Sequence, residues 1–311
     1  MTTAIYAHPA CLDHRPGLHH PERPARVDAI LDELKKRPID GLDFRKAPGI
    51  DPALLELVHP ASLIDQLLAP VEENDRRMID GDTIISAGSG HAALHAAGAV
   101  CDAIDHLVNG DIFNAFCAVR PPGHHAEPNR SMGFCLFNNV AVGAQYAREK
   151  HGLGRIAVID FDVHHGNGTQ AAFESDGDLF YASTHQWPLY PGTGAPSEAG
   201  VGNIVNATLA PGSGSAEFRQ AMTEIVLPAL GAFRPEMIMI SAGFDAHRAD
   251  PLASLNFLTE DYAWVTGRLT DMARDLCGGR LVSALEGGYD LRALAECAEA
   301  HVAALAASNP V

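Results

Sequence analysis

Ile156-Ala157-Val158-Ile159-Asp160-Phe161-Asp162-Val163-His164-His165-Gly166-Asn167-Gly168 decides how this chain is read. Its first four residues form a short apolar run, the pattern of a buried strand. Side chains alternate faces along a strand, so Asp160, Asp162 and His164 point to one side. Two carboxylates and an imidazole then converge where the strand ends in a glycine turn. Oxygen and nitrogen donors of this mix suit a divalent metal such as zinc, and three protein ligands leave a position open for water. The stretch supplies at most two or three of them, so the rest of such a site comes from elsewhere. His165 has metal-like spacing but alternates to the other face and reads as structural.

Three more apolar segments end in polar clusters. Ala115 to Val119 runs into Arg120-Pro121-Pro122-Gly123-His124-His125, Met237 to Ile240 into Ser241-Ala242-Gly243-Phe244-Asp245, and Leu281 to Leu285 into Glu286-Gly287-Gly288-Tyr289. Between the segments lie helix-like stretches rich in alanine and leucine: 92–107, 139–150, 215–233 and 262–276. Strands alternating with helices predict an α/β fold, a mostly parallel sheet covered by helices on both faces. In such sheets the binding crevice lies beyond the carboxyl ends of the strands, where all four clusters fall. No repeat, low-complexity segment or linker divides the sequence, which predicts a single domain over 1–311. Glycine and proline concentrate at 186–214, read as an ordered loop beside the site.

Composition narrows the partners. Hydrophobic residues make up 47% and charged residues 20%, as in ordinary globular proteins. Net charge is −17, from 39 acidic against 22 basic residues, and only four of the latter are lysine. That balance argues against nucleic acid, which needs clustered positive charge. It is compatible with cationic substrates and equally with plain solubility. The six cysteines (Cys11, Cys101, Cys117, Cys135, Cys277 and Cys297) show neither C-x-x-C pairing nor zinc-finger spacing, which fits a reduced chain. Cys135 lies close enough to the clusters to be oxidation-sensitive. Neither a signal peptide nor a membrane-spanning run is evident, so the expected location is cytoplasmic, away from any membrane.

The clusters together fill a set of chemical roles. Asp245, after a strand and a glycine, offers a further acidic ligand beside Asp162 and His164. A metal held this way polarises a carbonyl and lowers the pKa of bound water. Amide hydrolysis also needs a base, an acid for the leaving amine and an oxyanion donor. His124 and His125 titrate near neutral pH and suit the proton transfers. Asp160 and Asn167 are natural partners for their rings. Tyr289, after Gly287-Gly288, can place a phenol opposite the metal.

With these motifs in order, the chain resembles the histone deacetylase superfamily, which includes acetylpolyamine amidohydrolases. The resemblance runs from His20-Pro21-Glu22-Arg23-Pro24 to Gly287-Gly288-Tyr289, with Gly133-Phe134-Cys135 and Tyr190-Pro191-Gly192-Thr193-Gly194 between. Asn167 and Glu286 are similar to the class II branch and its bacterial relatives. The resemblance implies zinc on Asp162, His164 and Asp245. It makes His124 and His125 the tandem catalytic histidines, partnered by Asp160 and Asn167, and Tyr289 the oxyanion donor. It implies a structural potassium on backbone oxygens of Asp160, Asp162, His164 and Thr184 and the side chains of Asp160 and Ser183. Phe134 and Tyr190 wall a substrate tunnel, Gly133 and Gly288 line the site, and Leu252 sits at the rim, where a polyamine-selective relative carries glutamate. Arg23 matches an arginine of an internal cavity behind the zinc, and Asp80 or Asp82 matches a rim aspartate that holds substrate backbone.

The resemblance thus implies a zinc-dependent deacetylase acting on acetyl-lysine side chains of a peptide or protein. A deacetylase of acetylated polyamines or other small amides stands second, and a non-catalytic acetyl-lysine binding module third. A homo-oligomer is compatible with all three.

Overall fold

A computed structural model describes residues 2–309. Ten strands are present among them: β1 (Thr3–Ala7), β2 (Leu42–Lys46), β3 (Arg77–Met78), β4 (Ile84–Ile85), β5 (Asn114–Cys117), β6 (Ile156–Asp160), β7 (Leu179–Gln186), β8 (Ile204–Leu209), β9 (Met237–Ala242) and β10 (Leu281–Leu285). Eight form one parallel sheet in the order β2-β1-β5-β10-β9-β6-β7-β8, and β3 and β4 make a small antiparallel hairpin.

The central strands are apolar on both faces because both faces are covered. Every residue of β5, β6, β9 and β10 is buried. Ile156 and Val158 enter one core with the helices Ser89–Val108 and Asn139–His151. Ala157 and Ile159 enter the other, with Ala25–Lys36, Thr259–Cys277 and Leu291–Ala307. Period-two alternation along a continuous apolar run thus feeds two cores.

Two expectations change in detail. The stretch 215–233 is helix Ser215–Ala221, a π-helical turn Met222–Val226 and helix Leu227–Phe233. Pro228 lacks an amide hydrogen and crowds the preceding turn, so the backbone widens where the α-helical ladder cannot continue. The stretch 186–214 is not all loop: β8 lies inside it and pairs with β7. Glycine and proline crowd its flanks and obscure a six-residue strand.

Parallel pairing puts all carboxyl ends at one edge of the sheet. In sheet order β5, β10, β9 and β6 are consecutive, so the four polar clusters become neighbours although up to 170 or so residues separate them.

Candidate active site

Asp162, His164 and Asp245 meet at that edge. Each offers a ligand atom, and these atoms lie within 4.8 Å of one another. Nδ1 of His164 is 3.1 Å from Oδ1 of Asp162 and 3.2 Å from Oδ2 of Asp245. Backbone amides hold the carboxylates in place. Gly287 N–H donates to Asp162 Oδ2 at 2.8 Å, and Val163 N–H donates to Asp245 Oδ1 at 2.8 Å. Oδ2 of Asp245 is buried without a hydrogen bond. A Cβ on Gly243 or Gly287 would fall 2.0 or 2.1 Å from a carboxylate oxygen of Asp162 or Asp245, so only glycine permits this approach.

The electrostatics suit a cation. Burial and the Asp162 charge push Asp245 up to about 7. Burial opposes charge on Asp162 too, but His124 and His164 hold its carboxyl well below the usual range. Two buried carboxylates side by side and an unpartnered oxygen form an arrangement that a divalent ion relieves. The donor set therefore fits zinc.

The tandem histidines come from the turn after β5. His124 Nδ1 donates to Asp160 Oδ2 at 2.9 Å, and His125 Nδ1 donates to Asn167 Oδ1 at 2.8 Å. The Asn167 amide is fixed that way round because its Nδ2 donates to Glu127 at 2.7 Å. Burial opposes charge on His124, yet Asp162, Asp160 and Glu286 outweigh it and raise His124 to about 10. His125 is pushed the other way, well below its usual value, by burial and by the His124 and His164 charges. Neighbouring imidazoles therefore differ in basicity.

Above them is a pocket of about 220 Å³ lined by Asp82, His125, Gly133, Phe134, His164, Tyr190, Leu252 and Tyr289. Phe134 and Tyr190 form walls, and the His125 and Tyr190 rings stand edge-on at 5.1 Å. Phe134 adopts a left-handed backbone (φ 69°), a strained conformation for a side chain this large, and Thr83 Oγ1 accepts its N–H at 3.0 Å. Gly133 beside it is also left-handed (φ 57°). Tyr289 packs its ring 4.9 Å beneath the Arg26 guanidinium, and burial keeps its phenol protonated far above neutral pH.

The family follows from independent comparison. Residues 20–305 match the model of the histone deacetylase domain. The chain belongs to the histone deacetylase family. It is 42% identical to histone deacetylase 10, chloroplastic, of rice over 88% of this chain and 67% of that protein. It is 40% identical to a probable deacetylase of Archaeoglobus fulgidus (94% and 82%) and 39% identical to a histone deacetylase-like amidohydrolase of Pseudomonas aeruginosa (86% and 71%). The crystal structure of the HDA15 HD domain superposes with a TM-score of 0.92 at 36% identity, covering 100% of this chain and 90% of that one. This deacetylase therefore has the family's parallel-sheet fold and its hydrolase class.

Within this deacetylase most sequence-derived site residues converge. Ser183 is the register neighbour of Asp160, and Thr184 Oγ1 is buried without a hydrogen-bond partner. Asp82 lines the pocket, whereas the Asp80 carboxylate folds back on its own loop and accepts the N–H groups of Asp82 and Thr83.

Three expectations are corrected. Arg23 is exposed, outside the interior where a cavity behind the site would lie. The buried arginine is Arg26, one turn along from Glu22, with Arg120 beside it. Helix Ala25–Lys36 starts after Pro24, which turns Arg26 inward and leaves Arg23 outside. Gly288 does not line the pocket: its carbonyl accepts from Arg26 Nε at 2.6 Å, and the turn it makes delivers Tyr289 instead. Cys135 is fully buried, and burial raises its thiol well above the usual value, so the reactive thiolate is suppressed. His165 is structural as expected, hydrogen-bonded to Thr193 and Gln170.

Sequence reasoning gave no structural role to Glu286 or to the buried Glu22. Both sit in quoted motifs next to glycine or proline, which was the available signal.

Proposed function

We propose that the chain is a single-domain, zinc-dependent deacetylase that hydrolyses the amide of acetylated lysine side chains. The carrying observation is the pocket itself, whose lining brings His164, His125 and Tyr289 together with the aromatic rings of Phe134 and Tyr190. Zinc on Asp162, His164 and Asp245 would polarise the acetyl carbonyl and make water a better nucleophile.

The remaining steps belong to side chains. Asn167 fixes the Nδ1–H tautomer of His125 and leaves Nε2 free. His125 lines the pocket and is held neutral, so it takes the proton of the attacking water and returns it to the leaving amine. His124 sits behind it, charged against Asp160. Tyr289 donates its phenol hydrogen to the developing oxyanion. Phe134 and Tyr190 exclude water along an extended alkyl chain.

A structural potassium is supported by Asp160 and Ser183, register neighbours at the carboxyl end of the sheet. An acetylated polyamine is the second substrate reading, favoured by Asp82 at the pocket mouth, while apolar Leu252 favours lysine peptides. The complete ligand and tyrosine set speaks against a binding-only module. Among the described residues no helix is long and apolar enough to cross a membrane. Six buried free thiols suit a reducing compartment such as the cytoplasm, although the rice relative is named chloroplastic.

The deciding experiment chelates the protein and restores single metals while following an acetyl-lysine peptide, acetylated polyamines and longer acyl-lysines. Loss on chelation and recovery with zinc, greatest for the acetyl-lysine peptide, is expected. Full turnover after metal removal contradicts the reading.

A further inference from the structure

Glu286 exchanges no proton and touches no substrate in the steps above, yet it is wholly buried beside them. Its Oε2 accepts the N–H of Gly123 at 2.7 Å and of His124 at 3.1 Å, and its Oε1 accepts the Ser241 hydroxyl at 3.2 Å. All three partners meet the carboxyl oxygens as donors. The backbone of Glu286 is tied down as well. Its N–H donates to Ala242 O at 3.0 Å, and its carbonyl accepts from the Arg26 guanidinium. One residue on, Gly287 reaches Asp162, and two further on stands Tyr289.

The His124 peptide is held on its other side too. Its carbonyl accepts the N–H groups of Gly168 at 3.0 Å and Thr169 at 3.2 Å, while its ring is bound to Asp160. Glu286 is thus the side chain that ties the His124–His125 turn after β5 to the Tyr289 turn after β10.

We propose that Glu286 is a positioning residue whose carboxylate locks these two turns together and sets the separation between the proton-transfer histidines and the oxyanion donor. The inference rests on the amide hydrolysis proposed above. Removing the carboxylate leaves two buried peptide N–H groups without acceptors, and the turn relaxes to find water or other partners. The chemistry tolerates little such movement, since a displacement of about 1 Å costs about 100-fold in rate.

The test uses the zinc-supplemented full chain carrying Glu286→Ala or Glu286→Gln. It reads kcat and KM on an acetyl-lysine peptide, bound zinc, and amide hydrogen exchange at Gly123 and His124. For Glu286→Ala the expected result is kcat down about 100-fold with KM changed less than about threefold. Zinc content stays at the wild-type level and exchange at the two amides accelerates. Glu286→Gln, whose amide oxygen still accepts, recovers part of both effects. Unchanged exchange in Glu286→Ala overturns the inference, as does faster exchange with kcat retained. If Glu286→Ala does not fold, Glu286→Gln decides alone, and wild-type kcat and exchange in it overturn the inference. Should the wild-type chain hydrolyse no acetylated amine, the functional reading fails by itself, and the exchange measurement still tests the lock.

Discussion

Asn167 presents a neutral amide oxygen to Nδ1 of His125 at 2.8 Å, where His124 faces the carboxylate of Asp160 at 2.9 Å. A carboxylate favours the imidazolium form of its partner and an amide does so much less. The two rings, 4.0 Å apart, are pushed in opposite directions: against burial, Asp162, Asp160 and Glu286 raise His124, while burial and the His124 and His164 charges lower His125, which the Asn167 amide offsets only in part.

Replacing Asn167 with aspartate makes the pair symmetrical. A negative charge at Nδ1 raises the His125 pKa from its depressed value, so protonation persists to higher pH. If neutral His125 is the base, the acidic limb of the kcat/KM profile moves upward in Asn167→Asp. A profile that stays in place or moves to lower pH removes His125 from the base role.

Tyr289→Phe isolates the proposed oxyanion donor. The ring and its stacking beneath Arg26 are kept, and only the hydroxyl is lost. Loss of one such donor costs about 100- to 1000-fold in kcat with little effect on KM. Because burial holds the phenol protonated far above neutral pH, the defect is the same from pH 6 to 9. Steady-state kinetics at several pH values test both parts, and unchanged turnover removes Tyr289 from the scheme.

The sheet and the candidate metal site were legible because one constraint wrote both. A strand buried on both faces is a continuous apolar run, and a site at its carboxyl end must follow that run directly. Asp162, His164 and Asp245 obey this rule, as do His124, His125 and Tyr289. Strands nearer the edges carried weaker signals: β2 keeps polar residues such as Asp43 and Arg45, and β8 is hidden among glycines and prolines. Helix phase was the other loss. Arg23 and Arg26 sit in one short segment, and only the start of the helix at Ala25 decides which turns inward. Glu286 stayed silent because its three donors come from segments distant in sequence, two from the turn after β5 and one from β9.

Glu22 carries much of the stability beneath the pocket. Its carboxylate accepts from Arg120 Nη2 at 2.6 Å and from Arg26 Nη1 at 3.2 Å, and His14 lies 3.3 Å away, with all four side chains buried. Glu22→Gln keeps the shape but leaves two buried guanidiniums uncompensated, a loss of about 3–5 kcal/mol. Burial opposes the charge, but Arg120 and His14 outweigh it and hold the folded-state pKa well below the usual carboxylate value. The stabilisation is therefore complete above the unfolded pKa and drains away as pH falls toward the folded one. Urea unfolding at pH 7 and at pH 3 should show a variant deficit that shrinks in acid. A deficit below about 1 kcal/mol at neutral pH contradicts the assignment.

Leu252 and Asp82 set the charge of the pocket mouth, one apolar and one acidic. A cationic chain such as an acetylated polyamine gains from each added carboxylate, whereas a lysine peptide gains little because the ammonium of the side chain that enters the pocket has been acetylated away. Leu252→Glu places a second negative charge at the rim, and at an effective dielectric near 20 a charge about 6 Å from a substrate ammonium contributes about 1–3 kcal/mol before screening. Even the lower end of that range moves the ratio of kcat/KM values toward polyamine by roughly fivefold or more. Added salt shrinks the change, since rim charges are screened. Asp82→Asn acts in the opposite direction on the same ratio. If both variants leave the ratio where it stands in the wild type, rim charge does not select the substrate, and pocket width becomes the property to vary.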